Sequence, residues 1–151
     1  MRQTPGGFHL LVSSVVENDI EIPISSNAVT RGDMMELDVG AVNWTDADSG
    51  TQNWQLKAVA TQTVANTATV VLATLVVSLA QQWACETANN SAAADNSDRM
   101  LLTDTNTVNN TGTDNTSEEA VVIQRAPMGA ASDARIIGWI VPGVGVDTDA
   151  T

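Results

Sequence analysis

The chain has 151 residues, with 18 Asp and Glu against six Lys and Arg, and carries a formal net charge of −12. Lys57 is its only lysine, so no basic patch exists to profit from counterion release, and neither nucleic acid nor an anionic membrane is expected as a partner. The length suits one domain, and the core must be aliphatic because the aromatics are one Phe, four Trp and no Tyr.

In chain order, "MRQTPGGFHLLVSS" offers only Leu10 to Val12 as an apolar run, too short for the hydrophobic region of a secretory signal. Residues 1–18 are expected to form an N-terminal arm, loosened by Pro5, Gly6 and Gly7, and a first strand; 19–151 are expected as a single β domain with a short C-terminal tail. "DIEIPI" alternates polar residues with Ile from Asp19 to Ile24, a half-buried strand that Pro23 confines to an edge or an end. "DMMELDVGAVNW" places Met35, Leu37 and Val39 at alternate positions before Gly40 interrupts, which predicts a hairpin or a bulged strand. "WQLKAVA" sets Trp54, Leu56, Ala58 and Ala60 against Gln55, Lys57 and Val59.

The most apolar segment, Ala68 to Ala80, is shorter than the roughly 20 residues a membrane helix needs, and the chain is expected to be soluble. Its β-branched run "TVVLATLVVSL" fits one or two buried strands, with a helix as the alternative. "ANNSAAADNSD" is a polar connection to a short strand at Met100 to Leu102. "EEAVVIQR" and "ARIIGWIV" are strands parted by "APMGAASD", where Pro127 and Gly129 favour a turn. The polar stretch "TNTVNNTGTDNT", 105–116, is too near the end to separate two cores. Its Asx residues and Gly112, free to take positive φ, predict a rigid polar loop within one domain. The fold class that follows is all-β, a compact β-sandwich or small β-barrel with long polar loops and an N-terminal arm.

Candidate chemistry is sparse. Cys85 has no second cysteine with which to form a disulfide and reads as a small buried hydrophobe in "QQWACET". His9 has no Asp, Cys or second His at metal spacing. "TDADSGT" brings Asp46, Asp48 and Gly50 close to a calcium-loop pattern, but counted from Asp46 the glycine falls one place early and Lys57 occupies the position that needs a bidentate Glu. A solvated turn is expected there. Asp95, Asp98, Asp104 and Asp114 sit in similar turns. Glu118 and Glu119, if on a strand, point to opposite faces and form no catalytic pair. Asn43, Asn89, Asn109 and Asn115 begin Asn-x-Ser/Thr triplets that arise easily in a chain so rich in Asn and Thr. No phosphate loop, nucleophile elbow or zinc motif occurs, so no enzyme, catalytic residue, cofactor or metal is expected.

"AVTRGDMMELDVGAVNW", Ala28 to Trp44, resembles the early hairpin of the small β-rich capsid decoration, or cement, proteins of tailed bacteriophages, where a Gly-Asp pair precedes a strand and a second Gly ends it. "NNTGTDNTSEEAVVIQRAPMGAASDARIIGWIV", Asn109 to Val141, is similar to their closing part. The resemblance implies a structural virion protein on the outer surface of a capsid, binding the major capsid protein, commonly as a homotrimer, and stabilising contacts between neighbouring subunits. Contact segments are expected where charge is least, at Pro5 to Val16 and Ile136 to Val146. The alternative is a β-sandwich carbohydrate-binding or adhesion module, in which Trp44, Trp54, Trp83 and Trp139 would supply stacking platforms.

Overall fold

The structure is a computed structural model that describes residues 6–12, 19–113, 116–129 and 133–145. Its strands are β1 (Phe8–Val12), β2 (Ile20–Pro23), β3 (Met34–Leu37), β4 (Thr45–Asp46), β5 (Leu56–Ala60), β6 (Val70–Leu75), β7 (Gln82–Thr87), β8 (Arg99–Asp104), β9 (Thr107–Thr113), β10 (Val122–Pro127) and β11 (Arg135–Ile140). Among the described residues the helical content is one 3-10 turn, Ala93–Asp95. The expected all-β fold is the one observed. Of the expected arm and first strand, residues 6–12 supply the strand, and 1–5 and 13–18 lie outside the described residues.

Two sheets make the molecule. One runs β1-β7-β11-β10-β8-β9, and a short parallel pairing of β7 with β9, Glu86 with Thr107 and Thr87 with Val108, closes five of its strands into a barrel. On the same edge of β7, β1 pairs antiparallel with Gln82 to Cys85, so β1 and β9 share that edge end to end. The other sheet, β2-β6-β5-β3-β4, is antiparallel and curls into a half-barrel. Its outer strands meet at one bridge, Ile24 to Trp44, where the Trp44 N–H donates to Pro23 O at 2.8 Å. Pro23 ends β2 on that sheet edge, where a missing N–H costs no ladder bond.

Two apolar cores follow from this stacking. The first fills the barrel and the space beneath the half-barrel with Phe8, Trp83, Cys85, Met100, Leu102, Val108, Val122, Ile136 and Ile140, joined by Met34 and Val59 from the other sheet. The second, inside the half-barrel, holds Ile22, Ile24, Met35, Trp44, Ala58, Ala60, Val71 and Ala73. Strands β3 and β5 lie between the two and bury both faces. Adjacent Met34 and Met35 are therefore both fully covered, each in a different core.

The apolar run "TVVLATLVVSL" forms one strand, β6, and its surplus, Val77 and Leu79, lies exposed in the connection to β7. Strand β7 itself, "QWACET", has no alternation for a reader of period to find, because Trp83, Ala84 and Cys85 are all buried. The main correction concerns 105–116. Residues Thr107–Thr113 are not a loop but the strand β9, and Asp114 and Asn115 lie outside the described residues. The alternation is present in polar form. Val108 and Asn110 are buried, while Asn109 and Thr111 hydrogen-bond each other on the other side. Asn110 is tolerated inside because its amide is satisfied: Oδ1 accepts from Asn89 N at 2.9 Å, and Nδ2 donates to Asn89 O at 2.9 Å and Asn90 O at 3.2 Å.

Gly6 and Gly7 do not swing free. Gly7 (φ 81°) lies against Gly32 (φ 96°), and a Cβ on Gly7 would stand 2.5 Å from Gly32 O. The next residue donates Phe8 N–H to that same carbonyl at 2.9 Å. This glycine contact welds the start of β1 to the turn before β3.

Candidate functional site

The residues singled out for chemistry are placed apart from one another. Cys85 is fully buried, facing the core beside Phe8, its register partner. Burial pushes its thiol well above the ordinary range, so it holds no thiolate at neutral pH. His9 pairs with Ala84, one place along the ladder, and therefore points to the opposite face from Cys85, where its Nε2 lies 2.6 Å from Gly6 O. Sequence distance hid their adjacency; strand parity keeps them from acting together.

Glu118 and Glu119 sit in a turn before β10 rather than on a strand. Glu118 O accepts the Asn53 N–H at 2.6 Å, joining this turn to the loop that precedes β5. In "TDADSGT", Asp48 Oδ1 accepts from Gly50 N at 2.7 Å and Thr51 Oγ1 accepts from Asp48 N at 2.9 Å, an Asx-type turn as expected. Among the described residues no group of three or more His, Cys, Asp or Glu is placed to hold a metal.

Lys57 is where sequence reading fell short. Its side chain is 1% exposed, and its ammonium donates to Gln55 O at 2.7 Å, Asn53 O at 3.0 Å and Gln52 O at 3.4 Å. A lysine thus sits where three convergent carbonyls would otherwise invite a cation. Burial lowers its pKa to about 8, with Glu36, its partner across β3 and β5, pulling the other way. The loop it grips is also covered from outside. Gly145 N donates to Trp54 O at 2.8 Å, and a Cβ on Gly143 would collide with Gln55 O. Period gave no signal for it, since β5 buries both parities, Lys57 and Val59 on one side and Ala58 and Ala60 on the other.

Above this braced loop lies the apolar surface that stands out. At one end of the half-barrel, β3 pairs Leu37 with Leu56, and the β5–β6 register, continued by Val76 N to Lys57 O, carries Val77 toward Leu56. The last described residues lie over the same point, because Gly145 faces the Leu56 side chain and Val144 precedes it. Leu56, Val77 and Val144 are 37%, 52% and 64% exposed. Val39, just beyond Leu37 in sequence, and Leu79 are exposed too. Of the expected contact segments, Phe8, Ile136 and Ile140 are core residues, whereas Val144 belongs to this row.

The four tryptophans do not form an open platform. Trp44 and Trp83 are buried, and Trp54 and Trp139 are half-buried. Comparison with protein-family models, with curated proteins and with solved structures finds no match. No helix among the described residues is long and apolar enough to cross a membrane.

Proposed function

We propose that this chain is a structural virion protein that binds the outer surface of a bacteriophage capsid and stabilises contacts between major capsid subunits, acting as a homotrimer without catalysis. The observation that carries the reading is the exposed apolar set Leu56, Val77 and Val144, beside half-buried Leu37 and backed by a braced loop, on a chain of charge −12. An acidic chain repels its own kind, so such a row is best used against a different surface, where burial outweighs the field. The resembling segments fit unevenly: Ala28 to Trp44 takes in β3 and the approach to β4, and Asn109 to Val141 takes in β10 and β11, whereas "NNTGTD", a turn in the resembling proteins, begins here within strand β9.

The test is co-sedimentation with undecorated capsids of the virus that encodes the chain, in low and high salt. Binding that survives high salt is expected, because added ions screen repulsion and leave apolar burial intact. A chain that stays in the supernatant at both salts would defeat the proposal.

A further inference from the structure

Past β11 the chain crosses back over the loop that precedes β5. Residues 141–145 lie outside both sheets and, among the described residues, give none to either apolar core. Two backbone hydrogen bonds hold this strap within the described structure, Val141 N–H to Val121 O and Gly145 N–H to Trp54 O, each at 2.8 Å. Between them Gly143 packs so close that a Cβ would collide with Gln55 O and stand 2.5 Å from Trp54 O. The same Gln55 oxygen accepts from Lys57 Nζ at 2.7 Å. The strap therefore roofs the carbonyl cage, and Lys57 beneath it is 1% exposed. Val144, on the strap's outer side, is 64% exposed and belongs to the apolar row.

A segment tied at its two ends, with no side chain in a core, opens at a lower free energy than a central strand and opens as one piece. Closed, the strap covers the Lys57 cage and presents Val144 at once. We propose that residues 141–145 are a latch that opens separately from the two cores, exposing Lys57 and withdrawing Val144 from the docking surface, so that partner binding and the closed latch stabilise each other. The latch follows from the contacts of the strap alone; its coupling to docking rests on the capsid reading above. That coupling is reciprocal, since a partner that binds only the closed form must hold it closed.

Lys57 is the only lysine, so acetylation by an N-hydroxysuccinimide ester, located by peptide mass spectrometry, reports one ε-amine. In the free, unaltered protein, urea below the unfolding midpoint should leave the acetylation rate almost unchanged, because so small an opening exposes little surface. A rate that climbs with the slope of global unfolding would overturn the latch. Gly143→Ala should speed acetylation at least about tenfold, the scale of one displaced contact, with both cores intact by thermal melt. No acceleration in a folded Gly143→Ala, or an equal acceleration by Val71→Ala in the half-barrel core, would also overturn it. The urea series needs no variant, so it decides even where Gly143→Ala does not fold. Undecorated capsids in excess should slow acetylation of the unaltered chain. Capsids that bind it without slowing the reaction would overturn the coupling alone. Capsids that do not bind it would overturn the docking reading, and the coupling with it, but not the latch.

Discussion

At Lys57 a single side chain does the work that a metal does in other acidic loops. Its ammonium closes Gln52, Asn53 and Gln55 around one point, and the same loop carries the contacts of Asn53 to Glu118 and of Trp54 to Gly145. Lys57→Met is expected to cost about 3 kcal/mol, because it strands buried carbonyls and leaves Glu36 without its cation. Lys57→Arg should not rescue it, since a planar fork cannot replace a compact ammonium among three oxygens. Urea denaturation of both variants checks this. Burial also raises the carboxyl pKa values of Asp33 and Glu36 above their ordinary 3.8 and 4.5. The folded chain therefore holds those protons to higher pH than the unfolded chain does. Their contribution is complete below the ordinary values and is lost as pH rises through the raised ones. The urea midpoint should climb as pH falls from 7 toward 4.5, and Glu36→Gln should flatten part of that climb; an unchanged slope would show that relief of general repulsion explains it instead.

Among the elements, those with alternating exposure were legible, and β3 was read as well although it lies between two cores. β2 and β11 alternate inside and outside and were read directly, whereas β7 hides its parity behind three consecutive buried residues. β9 was misread for a chemical reason: half of its inward pattern is Asn110, whose amide is paid for by Asn89 and Asn90, partners far away in sequence. Asn110→Ala should accordingly cost about 1–3 kcal/mol by leaving the Asn89 N–H and two carbonyls without their partner, and thermal melts read it. β1 makes a similar point about the chain's start. Removing residues 1–5 should leave the fold intact, while removing 1–8 takes out Phe8, which is 1% exposed, and should destabilise by about 3–5 kcal/mol. Equal melting temperatures for the two truncations would contradict the placement of β1 in the core. The candidate surfaces were less visible than the strands, because the apolar row draws on residues 37, 56, 77 and 144, which only the strand register brings together.

For the whole molecule, a closed barrel and a half-barrel share a core, and the half-barrel turns one apolar end outward against a net charge of −12. Rigidity beneath that end comes from the Lys57 cage and from the close approach of Gly143 to Gln55. A docking surface on such a support loses little conformational freedom when it binds. The proposed docking depends on the row, and it can be tested at exposed positions outside either core. Leu56→Asp and Val70→Asp both place a charge at an exposed strand position, one inside the row and one on β6 far along the strand from it. Measured as binding isotherms on undecorated capsids, with folding verified by thermal melts, Leu56→Asp should weaken attachment at least about tenfold, the scale of one buried apolar anchor lost. Val70→Asp should bind like the unaltered chain. Undiminished binding by a folded Leu56→Asp would contradict the assignment of this end of the half-barrel as the docking surface.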